Sequence, residues 1–280
     1  MTRRSFLPAV AGSTLAASAG NVAAQTASKG RLKQGVCRGV FGKGMTMPQM
    51  CELAARLGFK GFDLIGPQEW PALKAAGLIP TMVPSASTIR DGINRKENHA
   101  RIDKGVRESI DAAAAAGAPN VILLSGERKG LPDDQGIDNC VLFFNGIKKY
   151  AEDKGVTLCL ELLNSKVNHP DYQCDHTRWG VEVCKRVNSP RVKLLFDIYH
   201  MQIMEGDIIR TIRENIQWIG HFHTAGNPGR HQLDDTSELN YRPVAQAIVE
   251  TGYTGFLSHE YSPTRDAATC LAEAFKMCDV

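Results

Sequence analysis

Excess charge of either sign is missing from this 280-residue chain, which sets 33 Lys and Arg against 30 Asp and Glu for a formal charge of +3. A surface built for nucleic acid or anionic lipid carries a basic patch, so neither is an expected partner. No apolar run is long and bulky enough for a good membrane span. Low-complexity linkers and blocks of like charge are absent too, so nothing marks a second domain. Eight cysteines are present, Cys37, Cys51, Cys140, Cys159, Cys174, Cys184, Cys270 and Cys278, yet none forms a Cys-x-x-Cys pair. Several sit in apolar patterns, as Cys159 does between Leu158 and Leu160, where a buried free thiol is expected. Cys174 and Cys184 flank a polar loop and a helix start, and they are the pair to inspect for a disulfide.

The first residues read as an address. Thr2-Arg3-Arg4-Ser5-Phe6-Leu7 has the paired arginines and following apolar residues of a twin-arginine export signal, the chain to Ala19 is small and uncharged, and Val22-Ala23-Ala24 offers a cleavage site. Residues 1–24 are therefore expected to be removed, leaving a mature chain from Gln25 in a periplasm or outside the cell. Loss of Arg3 and Arg4 lowers the formal charge from +3 to +1, since the segment holds no Asp or Glu. Residues 25–280 remain, close to the roughly 250 of a (β/α)8 barrel. A hydrophobic fraction of 43% supplies the core.

Strand and helix patterns alternate along that length. Strands are expected at 32–41, 61–65, 79–83 and 121–124, then at the run ending in Glu161, at 192–196, at His221–His223 and at 254–258. Helices are expected between them at 48–57, 68–76, 97–116 and 137–154, with a closing one at 266–278. The polar loop 84–98 after the third strand would lie over the C-terminal barrel face, as a lid or as surface decoration, with its length and place favouring a lid. Eight βα units in order point to an α/β fold, the (β/α)8 TIM barrel.

Four side chains fall at one phase of that repeat. Glu161, Asp197, His223 and Glu260 end successive strands with gaps of 36, 26 and 37 residues, each about one unit. Strand C-termini share one face of a barrel, so three carboxylates and an imidazole converge there. An acid at a strand end is ordinarily a helix cap or a solvated group, and the common phase is what sets these apart. Like charges in a poorly solvated site repel unless a cation neutralises them. Carboxylates with one imidazole suit one divalent ion, Mn²⁺, Mg²⁺ or Co²⁺. His221 and His223 point to one side of their strand, and only the register with the acids singles out His223. His200 follows Asp197 closely, and Arg230 sits in the turn Asn227-Pro-Gly-Arg-His231 near the pocket.

These residues resemble a family. Glu161-Leu-Leu-Asn164, Phe196-Asp-Ile-Tyr-His-Met-Gln202, His221-Phe-His-Thr-Ala-Gly-Asn-Pro-Gly-Arg-His-Gln232, Glu238-Leu-Asn-Tyr241 and His259-Glu-Tyr261 are similar to hydroxypyruvate isomerase and its relatives in the xylose isomerase-like barrel superfamily, which includes ketose 3-epimerases. The resemblance implies that Glu161, Asp197, His223 and Glu260 hold one divalent ion, that the two glutamates act as acid and base, and that His200 and Arg230 contact substrate. Two positions depart from the pattern. Hydroxypyruvate isomerases commonly carry Gln where this chain has His223, and the epimerases carry a substrate-binding Glu where it has Val167.

The chemistry expected is an isomerisation of a small sugar or hydroxy-keto acid through an enediolate, one glutamate taking a proton and the other returning it. A ketose 3-epimerase uses the same parts. A metal-dependent endonuclease would need a richer metal cluster and a basic face. A non-catalytic periplasmic sugar-binding protein is the alternative of another class. A homo-oligomer stays open.

Overall fold

In the computed structural model, which describes residues 29–280, all eight expected strands form, with helices between them. The order is β1 (Lys33–Cys37), α1 (Met47–Leu57), β2 (Gly61–Asp63), α2 (Trp70–Ala75), β3 (Ile79–Met82), α3 (Lys96–Ala116), β4 (Asn120–Leu123), α4 (Asp133–Lys154) and β5 (Thr157–Glu161). It continues with α5 (Thr177–Val187), β6 (Val192–Asp197), α6 (Ile198–Met204), α7 (Ile208–Asn215), β7 (Ile219–Thr224), α8 (Tyr241–Glu250), β8 (Phe256–His259) and α9 (Ala267–Cys278). The export segment expected over residues 1–24 lies outside the described residues. Among those described, no helix is long and apolar enough to cross a membrane.

All strands pair in parallel in the order β3-β2-β1-β8-β7-β6-β5-β4. The ring closes through Val83, just past β3, whose N–H donates to Asn120 O at 2.9 Å while Ile122 N–H donates to Val83 O at 3.0 Å. A closed parallel ring leaves no free edge and sends alternate side chains to the axis. Along β6 the alternation turns Leu195 and Asp197 inward, and along β5 Cys159 and Glu161. Met82, Ile122, Cys159 and Leu195 fill one inner layer, all buried. Outward residues such as Leu158, Leu194, Phe196 and Phe222 join Ile102, Val106, Ile110, Phe144 and Ile147 of the helices in the larger core. Register fixes the rim: Glu161 lies opposite Leu195, Asp197 opposite His223, and His223 opposite Ser258.

Several expectations are corrected. The first strand ends at Cys37, and Arg38–Phe41 form one 3-10 turn that stacks Phe41 on Phe62 with ring centroids 5.7 Å apart. Burying that ring outweighs continuing the strand. Helix α4 begins at Asp133 rather than Ile137, and Asp133 and Asp134 suit the positive end of its dipole. The loop over 84–98 is tied to the loop after β4. Ile93 N–H donates to Leu124 O at 3.2 Å and Asn94 N–H to Ser125 O at 2.8 Å, and the Asn94 amide reaches Gln173 Oε1 at 2.7 Å. Gly92 allows that approach, since a Cβ there would meet Gly126 N at 2.3 Å. Cys174 and Cys184 are not joined, and all eight cysteines are buried free thiols. Burial pushes Cys184 up to about 12, so it stays a neutral thiol.

His259 shows how polar groups are satisfied in the layer between sheet and helices, where its ring packs edge-on against Phe59. Its Nδ1 accepts from Thr224 Oγ1 at 2.7 Å and its Nε2 donates to Gln34 Oε1 at 3.0 Å. The neutral ring is fully paired. Burial, aided by the charge of His223, lowers its pKa from 6.5 to about 3. The unfolded chain takes up this proton near 6.5 while the folded chain refuses it until about 3, so stability falls as pH drops through that window. His259→Gln should lower the slope of unfolding free energy against pH by up to about 1.4 kcal/mol per pH unit across it. Urea titrations at several pH values measure this, and an unchanged slope would acquit His259.

Candidate active site

The ends of β5, β6, β7 and β8 bring Glu161, Asp197, His223 and Glu260 together as the sequence spacing predicts. One ligand-type atom from each lies within 4.8 Å of the others. Glu161 and Asp197 are the last residues of their strands, His223 lies on β7, and Glu260 follows β8 with its N–H donated to Thr224 O at 2.9 Å. Asp197, His223 and Glu161 are buried, whereas the Glu260 side chain is 24% exposed. The cluster therefore opens to solvent on the Glu260 side.

Asp63 fixes the imidazole, and sequence reasoning missed it. This fully buried carboxylate ends β2, and its Oδ2 accepts from His221 Nε2 at 2.6 Å and from His223 Nε2 at 3.0 Å. Its Oδ1 accepts from the Thr81 hydroxyl. Burial acts to raise its pKa, but the His221 charge and the hydrogen bonds from both imidazoles outweigh burial and hold it well below the usual carboxylate range. Asp63 is thus ionised, and His223 must put a proton on Nε2 to meet it. The other nitrogen, Nδ1, then turns its lone pair toward Glu260 Oε2 at 2.9 Å and Glu161 Oε1 at 3.6 Å. The available signal was position: Asp63 ends its strand at the phase of the other acids.

A lone pair facing two carboxylates calls for a positive charge between them. His223 Nδ1 is buried without a hydrogen-bond partner. Burial opposes a charged His223, yet Cys37 and the carboxylates of Glu260, Asp63 and Glu161 around it hold its pKa well above the usual imidazole range. A proton or a metal ion at Nδ1 meets that demand. Burial, with repulsion from Glu260, raises Glu161 to about 7. Burial also raises Asp197. Glu260 goes the other way: burial would raise it, but His223 and Arg230 prevail and hold it at about 2. Three oxygen donors, one imidazole nitrogen and one unmet cationic demand fit a divalent ion. The Asp63, His221 and His223 group is no second centre of this kind, because its atoms satisfy one another.

His200 and Arg230 stand at the same centre. Asn164 N–H donates to His200 Nδ1 at 3.2 Å, so the neutral ring carries its proton on Nε2. Burial, and then Arg230, keeps this imidazole uncharged. Its Nε2 is buried, lacks a hydrogen-bond partner and lies 3.7 Å from Asp197 Oδ2, leaving a donor for a third group. Arg230 Nη2 lies 2.7 Å from Glu260 Oε2 and 3.4 Å from Asp197 Oδ2. Its φ of 57° is left-handed, a conformation side chains other than glycine rarely adopt. The backbone spends that strain to aim the guanidinium inward.

Asp63→Asn keeps the shape but removes the charge that orders His223. Affinity for Mn²⁺ should fall about 10–100-fold by calorimetry. Unaltered affinity would reduce Asp63 to a packing residue.

Known proteins resemble this chain in sequence and fold. A Mus musculus protein provisionally named a hydroxypyruvate isomerase is 27% identical over 250 residues, covering 81% of this chain and 87% of that one. The 2-oxo-tetronate isomerase of Haemophilus influenzae is 26% identical over 235 residues, covering 79% and 89%. The crystal structure of an AP endonuclease, family 2, from Brucella melitensis superposes with a TM-score of 0.79 at 25% identity, covering 86% of this chain and 97% of that one. The model of the xylose isomerase-like TIM barrel family matches residues 51–278. The chain belongs to the xylose isomerase-like TIM barrel family.

Proposed function

We propose that the protein is an isomerase of a small hydroxy-keto acid or keto-sugar, with one divalent cation held by Glu161, Asp197, His223 and Glu260. One observation carries the reading: two glutamates, one ending β5 and one just after β8, lie within 3.6 Å of the same buried imidazole nitrogen. Proton transfer beside a carbonyl needs one group to take a proton and another to return it. A cation held there supplies Lewis-acid stabilisation of the charge that develops on the substrate oxygens. One glutamate removes the proton from the hydroxyl-bearing carbon beside the carbonyl, the other delivers one to the former carbonyl carbon, and the hydroxyl proton passes from one oxygen to the other. The unpartnered Nε2–H of His200 supports a role as donor to a substrate oxygen, and the Arg230 guanidinium suits a carboxylate.

The relatives named for hydroxypyruvate and 2-oxo-tetronate support a hydroxy-keto acid substrate. Epimerisation of a ketose fits His223 but finds no hydrogen-bonding side chain at Val167, which is 63% exposed in the loop after β5. The near-neutral chain speaks against DNA as substrate.

With hydroxypyruvate as substrate, Glu161→Gln and Glu260→Gln should each lower kcat by at least about 100-fold while the circular dichroism stays native. Near wild-type turnover in both variants would overturn the assignment.

A further inference from the structure

A thiol reaches the same centre from β1. Cys37 is the last residue of that strand, which lies between β2 and β8, with Cys37 paired to Asp63 and Val36 to His259. Its Sγ, a ring nitrogen of His223 and a carboxylate oxygen of Glu260 lie within 4.8 Å of one another. The thiol is buried and free. His223 Nδ1, buried and without a hydrogen-bond partner, points into this space. One imidazole therefore belongs to two donor sets of different character. The first is Glu161, Asp197, His223 and Glu260, rich in hard oxygen. The second is Cys37, His223 and Glu260, which trades two carboxylates for sulfur.

We propose that Cys37, His223 and Glu260 form an overlapping site for thiophilic cations of the Zn²⁺ and Cd²⁺ class. Thiolate sulfur prefers such ions, whereas carboxylate oxygen prefers Mg²⁺ and Mn²⁺. Binding forms a sulfur–metal bond and releases the Cys37 proton to solvent, with no change of oxidation state. Because His223 and Glu260 serve both sets, occupation of one excludes the other. A thiophilic ion then inhibits by drawing these two side chains away from Glu161 and Asp197. The inference rests on the proposed function in one respect, that His223 and Glu260 bind metal.

The full chain, stripped by chelator, is titrated with Cd²⁺ while the near-ultraviolet thiolate-to-cadmium absorption is followed, and separately with Mn²⁺ while free ion is read by electron paramagnetic resonance. A band that saturates at one equivalent of Cd²⁺ and fades as Mn²⁺ is added is the expected result. Cys37→Ser and Cys37→Ala should abolish the band and weaken Cd²⁺ binding at least about tenfold more than Mn²⁺ binding. Mn²⁺ binding without any cadmium band in the wild type overturns the thiol site and leaves the proposed function standing. A band that persists in both variants, or one that excess Mn²⁺ does not touch, also overturns it. Failure to bind either ion removes the four-residue centre and both readings with it. Should the variants not fold, the wild-type competition alone decides.

Discussion

Mutual repulsion among Glu161, Asp197 and Glu260 is the constraint on which the rest of the centre depends. Three carboxylates share a poorly solvated space with one imidazole, and desolvation leaves their charges unscreened. The chain itself answers part of this: Arg230 pairs with Glu260 and Asp197, and a proton on His223 Nδ1 would face Glu260 and Glu161. The opposed shifts of Glu161, up to about 7, and Glu260, down to about 2, express the same unresolved demand for positive charge. A divalent ion answers all of it at once. Under the proposed function, an ion that meets this demand would also stabilise charge on a substrate.

The barrel holds such a cluster because its restraints come from every side. β5, β6, β7 and β8 are neighbours in the ring, so four rim positions face one another by register alone. Across the axis, Asp63 at the end of β2 clamps His221 and His223 through one oxygen. Below them Asn120 donates to Thr81 O at 2.9 Å, extending the polar column into the barrel. At the rim His223 Nδ1 and His200 Nε2 are buried without a hydrogen-bond partner, as is Ser258 Oγ opposite His223 in register. Unmet polar atoms so deep in a well-paired interior mark where a ligand belongs.

Much of this was legible beforehand, for definite reasons. The spacing of Glu161, Asp197, His223 and Glu260 repeats the βα unit, and a parallel barrel converts that spacing into proximity. Asp63 escaped because β2 is only three residues long and its partners lie 158 and 160 positions away, a relation no local pattern encodes. The early end of β1 followed from Phe41 stacking on Phe62, again a contact between elements. Loop 84–98 looked like a lid because polar composition says nothing about pinning. Its anchors are Ile93 and Asn94, whose backbone bonds are made to Leu124 and Ser125 of the β4 loop. Cys37, between Val36 and Arg38, belongs to no motif, and only the fold sets it beside His223.

The most direct test is proton NMR in D₂O of the Mg²⁺-loaded protein against hydroxypyruvate and a panel of ketoses, watching the carbon beside the carbonyl. The account predicts that deuterium enters at that carbon in at least one compound and that chelator stops it. A folded protein shown to bind the ion, yet exchanging deuterium into none of these compounds, would contradict enediolate chemistry at this centre.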